Sequence, residues 1–530
     1  MTHADASGRE QIGTRSYDIA IVGGGIAGAG IARDAARRGF DTILLDRSDF
    51  GDGTTAGSTR LAHGGLRYLE HYEFGLVREG LRERETLAEI APHLVDPLTF
   101  LIPSFEEPWY ERLKLKVGIS LYDVLSWGKS MPTHDRLSAD DISTREPDLV
   151  TDGLQGGFAY ADRQIPFPER LCLENVLAAH ANGADVLPYA EVTGIRSTDG
   201  SVSGVTVTDR LLDRTVDVDA TVVINATGPS ADALVPDGGD TSLVRPIQGI
   251  HLVTRSLTEH AMTLPTTDDR IVFIVPWHGY SLIGTTEHEV TGDPEATRAT
   301  SGEIEYLFEE VSRYFPSFGP EDVYYTTVGV RPLYQAEETD DPSAVSRAHE
   351  IVDHGAPNDG LYSVVGAKIT PYRGIAEETV DTVAGRFGTV PACVTAEELL
   401  PGGGSLPTRP DTIDDETATH LESLYGSRVS EVYDRIEADS NLAAPLCKHS
   451  LDILAQVDVA VETEFAAHVD DVLFRRLTVG HEHCVGSDAI DPVLDRMATL
   501  LDWDAERQEA ERERFNEAQD RRLGPLEGAA

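Results

Sequence analysis

Lysine is scarce in this chain: only five of its 530 residues are lysine. Its 44 basic residues are outnumbered by 91 acidic residues, which gives a formal net charge of −47. Because so much negative charge repels a polyanion at long range, we expect no nucleic-acid partner. An acidic, lysine-poor composition of this kind is typical of salt-loving microbes, where molar salt shortens the Debye length to about 3 Å. The alternative is an acidic protein from an organism of ordinary salinity.

Cysteine is also sparse, and long apolar runs are missing. The four cysteines lie far apart in the sequence and form no C-x-x-C pair. This spacing argues against an iron–sulfur cluster, a zinc site or a disulfide framework, so no metal is predicted. The N-terminus lacks an apolar signal-peptide core, and no stretch of about 20 residues is apolar enough to span a bilayer. We therefore predict a cytoplasmic protein.

The segment 17–46 has the pattern of a dinucleotide-binding unit. An apolar strand leads into GGGIAG, a helix of small residues follows, and a second apolar strand ends at Asp46. In this pattern Gly23 makes the tight turn, Gly25 allows a pyrophosphate to approach, and Gly28 lets helix and strand pack closely. The helix N-terminus favours phosphate, and Asp46 can accept hydrogen bonds from a ribose.

The next segment, GTTAGSTRLAHGGLRYLE (53–70), favours a flavin over a nicotinamide. In a flavin fold such a loop runs past the pyrophosphate to the isoalloxazine ring, where hydroxyl groups donate and paired glycines allow close approach. Two later strand-to-turn segments, 223–229 and 365–370, fit the same fold. Beyond the residues of the first motif, the predicted cofactor-binding residues are Thr55, Ser58, Thr59, His63, Gly64, Gly65, Leu66, Val192, Ala226, Thr227, Gly228, Gly366, Lys368 and Thr370.

Strand and helix patterns alternate early in the chain, short strands follow, and helical spacing dominates the end. We predict an α/β fold in which a Rossmann-like FAD-binding domain adjoins a β-rich substrate domain and an all-α C-terminal domain. The proposed divisions are a flexible tail (1–16), an FAD-binding domain (17–92, 165–235 and 355–395), a substrate-binding domain (93–164 and 236–354), a linker (396–409) and a helical domain (410–530).

Four segments, HGGLRYLEHYEF, IVFIVPWHGYSLIGTTE, VGVRPL and VVGAKITPYR, closely resemble the FAD-dependent glycerol-3-phosphate dehydrogenase family. That family belongs to the D-amino-acid-oxidase-like flavoproteins, and the likeness extends from about residue 17 into the helical domain. The resemblance implies FAD as cofactor and glycerol 3-phosphate as substrate. It also implies hydride transfer to flavin N5 and passage of the electrons to a membrane quinone, since the cysteine-rich segment of the anaerobic branch is missing.

By this resemblance, five side chains are expected to line the substrate pocket: Arg67, Tyr68, Arg331, Lys368 and Arg373. Arginine suits a phosphate dianion because its planar fork bonds two oxygens at once. His251 is the leading candidate for the proton acceptor, because an unperturbed imidazole titrates near neutrality. His63 and Arg331 are the alternatives, and catalysis is assigned to His251, Arg331 and Lys368.

The chain departs from the family pattern at two positions. The family often has GGK where this chain has Gly366-Ala367-Lys368, and an alanine permits the same turn if its φ stays negative. The family often has lysine where this chain has Gln248, so a charge is lost there. Neither change removes a proposed catalytic group.

The sequence leaves several further questions open. The segment 109–129 holds three of the five lysines and has an apolar helical face, so it is either a membrane-surface helix or a cover for the substrate domain. The electron acceptor could be oxygen, as in an oxidase, or the substrate could be an amino acid or another hydroxy acid. A non-catalytic nucleotide-binding module is the rival from another class. A homodimer, through the helical domain, is one further arrangement that the sequence permits.

Overall fold

A computed structural model describes residues 9, 12–106, 108–126, 128–236, 242–335 and 348–527, without the side chains of residues 67, 70, 71 and 527. Strands and helices are numbered in chain order. The strands are β1 (Ser16–Val22), β2 (Thr42–Leu45), β3 (Leu61–Ala62), β4 (Asp96–Phe105), β5 (Asp135–Leu137), β6 (Leu154–Gln164), β7 (Asp185–Leu187), β8 (Ala190–Thr198), β9 (Ser201–Asp209), β10 (Arg214–Asn225), β11 (Val244–Arg255), β12 (Ala261–Pro265), β13 (Ile271–Trp277), β14 (Tyr280–Gly284), β15 (His288–Glu289), β16 (Val323–Tyr334), β17 (Glu350–Asp353) and β18 (Leu361–Val365).

The helices surround these strands and dominate the C-terminal part. They are α1 (Ile26–Arg37), α2 (Phe74–Ile90), α3 (Trp109–Leu125), α4 (Ala139–Arg145), α5 (Pro168–Ala181), α6 (Ser301–Ser312), α7 (Tyr372–Ala384), α8 (Asp415–Tyr425), α9 (Val429–Ala438), α10 (Ala455–Glu462), α11 (Val469–Asp471), α12 (Ile490–Leu501) and α13 (Ala505–Glu527). None of the helices in the described ranges has the length and apolar character needed to cross a bilayer.

The first sheet has the strand order β17-β18-β10-β1-β2-β7, and its central strands are parallel. Parallel strands are covered on both faces, which explains why β1 and β2 read as nearly continuous apolar runs. Helix α1 packs against α5 and α7 on one face, and the close approach to α7 requires Gly30. A Cβ added there would lie 2.8 Å from Cδ2 of Tyr372. The sheet thereby fixes the N-terminus of α1 at the carboxyl ends of its strands.

The second sheet has the order β15-β11-β14-β13-β12-β4-β6-β3, with β16 paired along β11 and β5 paired with β6. The antiparallel β11–β16 register sets Ile247 opposite Arg331 and His251 opposite Thr327. Because side chains alternate between faces, His251 and Arg331 lie on the same face of this sheet. The predicted antiparallel strands between residues 245 and 284 are present as β11 to β14.

The helical C-terminal part is joined to the first sheet's domain by buried ion pairs. The guanidinium of Arg476 makes two hydrogen bonds, of 2.7 and 2.8 Å, to the carboxylate of Asp49, and Arg475 bonds both Asp49 and Asp52. Removing one partner of such a buried pair typically costs 3–5 kcal/mol, because a charge is left uncompensated. The helical domain therefore holds the chain segment that follows Asp46.

The predicted linker and part of the predicted flexible tail are anchored by tertiary contacts. Within the linker, Gly402 and Gly403 are buried, and the Gly402 amide donates to the carboxylate of Glu174 at 2.7 Å. Within the tail, Arg9 is buried and bonded to Asp209, and Ile12 is also buried. These residues pack against elements that are distant in sequence, which composition alone does not indicate. Residues 1–8, 10 and 11 of the tail lie outside the described residues.

Candidate active site

A cavity of about 970 Å³ extends from the N-terminus of α1 to the β11–β16 face of the second sheet. At one end it is lined by the glycine turn and the residues that follow β2, and at the other end by side chains of β11 and β16. The segment 52–61 runs along the cavity between these ends. The fold therefore joins a nucleotide-binding end and a polar, cationic end in one continuous cavity.

The glycines of the first motif leave room for backbone and ligand. Gly23 has a φ of +104°, and a Cβ there would lie 2.6 Å from the Ala226 carbonyl oxygen. A Cβ on Gly28 would overlap the Gly23 carbonyl oxygen, which explains the close packing of helix on strand. The Ile26 amide, in the first turn of α1, donates to Thr55 Oγ1 at 3.1 Å. This hydrogen bond brings the hydroxyl-rich loop to the helix N-terminus, where phosphates bind favourably.

Asp46 lies at the end of β2, where the ribose of a dinucleotide is expected. Its carboxylate accepts hydrogen bonds from the Gly24 amide at 2.5 Å and from the Ser48 amide at 2.8 Å. Burial raises the pKa of Asp46 to about 6, and these two amide hydrogen bonds act in the opposite direction. Asp46 is therefore held rigidly and remains mostly ionised at neutral pH, as an acceptor for ribose hydroxyls must be.

The middle of the cavity is shaped by the flavin loop, which we define as residues 53–70. A Cβ on Gly57 would overlap the backbone of β16 at Val328, so this loop lies directly on the strand. Further along, the Gly64 amide donates to the Tyr122 hydroxyl at 2.9 Å, and that hydroxyl donates to Asp162 at 2.7 Å. Helix α3 is thereby connected to the flavin loop through one hydrogen-bonded chain.

Arg331 is the principal cation at the far end of the cavity. Its Nη1 bonds Glu287 Oε1 at 3.0 Å, and its Nη2 donates to the Thr286 carbonyl oxygen at 2.5 Å. On the neighbouring strand β11, a Cβ added at Gly249 would lie 2.5 Å from Arg331 Nη2 and would overlap Thr285 Oγ1. The guanidinium is therefore oriented by two fixed acceptors and by the absence of a side chain at position 249.

His251 lies on the same face and is almost fully buried. Its Nε2 is 2.9 Å from Thr59 Oγ1 in the flavin loop, and its Nδ1 has no hydrogen-bond partner among the described residues. Burial, and then the nearby cations Arg331 and Arg60, lower the pKa of His251 to about 3. An unperturbed imidazole titrates near neutrality, whereas the surroundings of His251 strongly favour the neutral ring.

Lys368 follows the strand β18 and completes the cationic end. Its Nζ lies 4.8 Å from the centre of the Tyr68 ring, which is a cation–π distance. In the turn before it, Gly366 has a φ of +71°. Ala367 does not have a positive φ. The alanine that replaces the family's second glycine is thus compatible with the turn. Nearby, the His63 amide donates to Thr370 Oγ1 at 3.2 Å, which ties the flavin loop to this segment.

Most of the predicted cofactor and substrate residues line this one cavity. Those that do are Gly23, Gly25, Asp46, Thr55, Ser58, Thr59, His63, Gly64, Tyr68, Val192, Ala226, Thr227, Gly228, His251, Arg331, Gly366, Lys368 and Thr370. Three predicted cofactor-binding residues within the described ranges do not line the cavity: Gly28, Gly65 and Leu66. The Arg67 side chain lies outside the described residues.

Arg373 is a correction to the predicted substrate site. Its guanidinium is buried away from the cavity, where it bonds both carboxylate oxygens of Glu83 at 2.7 and 2.8 Å and one of Glu377 at 2.8 Å. Charge neutralisation by these two carboxylates leaves it no role toward a phosphate. Arg373 instead ties α7 to α2 as a salt-bridge partner at the start of a helix, which is the alternative role for an arginine at this position.

Several residues of the site escaped prediction. Glu287 and Thr286 orient Arg331, and they could have been found because they belong to the IGTTE motif that carried the resemblance. Arg475, Arg514 and Arg522 also line the cavity, although they lie far away in the helical domain. No pattern in the sequence indicates that these last residues meet the cofactor-binding end.

The glycine cradle, the ribose-binding carboxylate and the loop that leads to a cationic pocket fit FAD, and together they define a flavin-dependent oxidoreductase. Residues 18–382 match the family model described as FAD dependent oxidoreductase. Residues 365–508 match the model described as the C-terminal domain of alpha-glycerophosphate oxidase. The predicted fold class and the prediction of FAD as cofactor are confirmed.

Named relatives narrow the class further. A glycerol-3-phosphate dehydrogenase from Synechocystis sp. is 35% identical over 96% of this chain and 97% of the relative. An aerobic glycerol-3-phosphate dehydrogenase from Bacillus subtilis is 32% identical over 97% and 96% of the two chains. The structure of the Bacillus halodurans glycerol-3-phosphate dehydrogenase complexed with FAD has a TM-score of 0.80, with 27% identity and 99% coverage of both chains. The chain therefore belongs to the FAD-dependent glycerol-3-phosphate dehydrogenase family, as its motifs predicted.

Proposed function

We propose that this protein oxidises sn-glycerol 3-phosphate to dihydroxyacetone phosphate and passes the electrons to a membrane quinone. The observation that carries the proposal is the convergence of His251, Arg331 and Lys368 on the cavity that also contains the dinucleotide cradle. Relatives named for this activity support it. When bound, FAD supplies the hydride acceptor, its N5 atom.

Arg331 and Lys368 have distinct proposed roles. The substrate phosphate is a dianion in a chain of net charge −47, so local cations are needed to hold it. Lys368, beside Tyr68, suits the phosphate as a point charge. Arg331 is fixed by Glu287 and the Thr286 carbonyl and suits the oxygen at C2, where negative charge develops when the hydroxyl proton leaves.

His251 is the proposed proton acceptor for the C2 hydroxyl. An imidazole can accept a proton only in its neutral form, and burial beside Arg331 keeps this ring neutral throughout the physiological range. A dianion that binds between the same cations would offset their effect and lower the energy needed to protonate the ring. Thr59 orients the ring through Nε2, and His63, which also lines the cavity, is the alternative acceptor.

A membrane contact through α3 would give access to quinone. Four apolar side chains along this helix are exposed: Trp109 by 70%, Leu113 by 50%, Val117 by 59% and Val124 by 62%. Their spacing places them along one side of the helix, as in helices that lie at a bilayer surface. We propose that the protein is cytoplasmic and peripheral to the membrane and that this side of α3 makes the contact. Leu121, on the same helix, is partly buried and packs against the protein core.

The acidity of the chain supports a halophilic source, because only high salt screens so much like charge. A homodimer remains a prediction. It is tested by the mass of the purified protein in light scattering, measured in molar salt.

Spectroscopy tests the central proposal directly. Purified protein should be yellow, and anaerobic glycerol 3-phosphate should bleach its flavin absorbance. A quinone analogue should then restore the colour faster than oxygen does, whereas equal peroxide formation without a quinone would favour an oxidase.

The variant Arg331→Ala tests the proposed role of this arginine. It should keep its FAD yet lose at least about 100-fold in kcat/KM. Arg313→Ala, which removes an exposed arginine paired with Glu310, is the matched control. Wild-type turnover in Arg331→Ala would contradict the assignment.

A further inference from the structure

The last helix, α13, brings to the cofactor cavity an arginine, Arg522, that forms no ion pair with a carboxylate of the described residues. Arg522 lines the cavity, and its Nη1 is buried and has no hydrogen-bond partner among the described residues. Such an arginine is unexpected where acidic residues outnumber basic ones two to one. A desolvated guanidinium with unused donors is costly unless an anion binds it.

The position of Arg522 is fixed by neighbours that provide no acceptor for its buried Nη1. Its carbonyl oxygen accepts a hydrogen bond from Thr326 Oγ1 at 3.1 Å, so α13 is attached to β16 at this point. Its guanidinium carbon lies 3.6 Å from the centre of the Phe474 ring. A ring contact of this kind orients the planar group without satisfying its N–H donors.

The carboxylates near Arg522 are already paired with other arginines. Asp52 is bonded by Arg475 at 2.9 Å, and Glu169 is bonded by Arg60 at 2.8 and 3.0 Å. Burial, with a further effect of Arg475, lowers the pKa of Arg522 to about 10, so the group is still protonated at neutral pH. The side chain is therefore a charged donor inside the cavity whose natural acceptor is supplied by a ligand.

The cavity position identifies that ligand. Asp52 and Arg475, which are electrostatic neighbours of Arg522, belong to the cluster that holds the segment leading to Thr55. Thr55 in turn is bonded to the N-terminus of α1, where phosphate is favoured. We propose that Arg522 donates hydrogen bonds to the diphosphate of bound FAD, so that the C-terminal domain completes the cofactor site.

This proposal is tested by how tightly the full-length protein retains FAD. Release of FAD from the diluted holoprotein is followed by flavin fluorescence, for the wild type and for Arg522→Met, Arg522→Gln and Arg522→Lys. Loss of a charge-assisted hydrogen bond should weaken FAD binding by about 10- to 100-fold in the first two variants. Arg522→Lys should retain most of the affinity. The control is Arg512→Met, since Arg512 lies on the same helix and is bonded to Asp491 at the surface.

Two further measurements separate phosphate recognition from a structural role. In full-length protein stripped of FAD, Arg522→Met should weaken binding of ADP but leave the affinity for adenosine unchanged. The Tm of the stripped variant should equal or exceed that of the stripped wild type, because an unsatisfied buried charge has been removed. Unchanged ADP affinity, or an equal loss for adenosine, would overturn the proposal. A raised KM for glycerol 3-phosphate with unchanged FAD release would also overturn it and assign Arg522 to the substrate instead.

Discussion

The change Gly249→Ala tests the position of Arg331 without altering any charge. A methyl group at residue 249 would lie 2.5 Å from Arg331 Nη2 and 2.9 Å from the Thr286 carbonyl oxygen, and it would overlap Thr285 Oγ1. Ordinary contacts at a Cβ begin at about 3.4 Å. Because the methyl group would press on Nη2 itself and on the carbonyl oxygen that anchors it, we expect Arg331 to move by about 1 Å while its charge stays in the cavity.

The size of the effect follows from this displacement. A misplacement of about 1 Å at a group that acts on the reacting atoms can reduce the rate about 100-fold, which corresponds to about 2.7 kcal/mol of transition-state stabilisation. Cofactor binding should be unaffected, because Gly249 lies at the end of the cavity opposite the glycine cradle. We therefore expect a low kcat/KM for glycerol 3-phosphate with full FAD content.

The assay compares Gly249→Ala with Gly302→Ala in steady-state kinetics, with flavin absorbance as the measure of FAD content. Gly302 lies in α6, and nothing is within 4 Å of a Cβ added there, so this control introduces the same methyl group without a clash. Thermal unfolding shows whether each variant is folded. If folded, flavin-loaded Gly249→Ala had the kcat/KM of the wild type, the reasoning that places Arg331 at the reaction centre would be refuted.

Three other outcomes are expected. Gly28→Ala should yield protein with little bound flavin by absorbance, because the new methyl group overlaps the Gly23 carbonyl oxygen, and a fully yellow product would contradict the cradle assignment. Arg373→Met should lower the free energy of unfolding in urea by about 3 kcal/mol and leave KM unchanged, because the buried Glu83 then keeps only the exposed Arg82 as a partner among the described residues; a raised KM would instead assign Arg373 to the substrate site. The pKa of His251 is about 3 in the folded protein and about 6.5 when unfolded, so the unfolded chain binds more protons between these values. The free energy of unfolding should fall as pH drops through this window, by up to about 1.4 kcal/mol per pH unit from this residue, and equal slopes for wild type and His251→Asn in urea titrations would disprove it.

The helical C-terminal domain makes tertiary contacts that its sequence does not indicate. Helical spacing predicted its content correctly, and composition predicted a linker through the glycine-rich segment around residue 402. The structure instead joins this domain to Asp49 and Asp52 through Arg475 and Arg476. Pairing over more than 400 residues leaves no periodic pattern, so neither these ion pairs nor the entry of Arg522 into the cavity was predictable.

Local backbone requirements, by contrast, are encoded within a few residues. The turn at Gly23, the close packing at Gly28 and the acceptor at Asp46 follow from the order of small, apolar and acidic residues along one strand–helix–strand unit. The same holds for the Gly366–Lys368 turn. The sequence by itself therefore determined the nucleotide-binding fold, the cofactor and the family.

Only the tertiary structure decided what surrounds each charged side chain. Arg331 and Arg373 both stand in motifs that indicate a substrate contact, yet one lines the cavity and the other is neutralised by Glu83 and Glu377. His251 occupies the predicted place, but burial and neighbouring cations remove its ordinary titration. The physical reason is that the electrostatic energy of a group depends on desolvation and on nearby charges, which come from strands and helices that are distant along the chain.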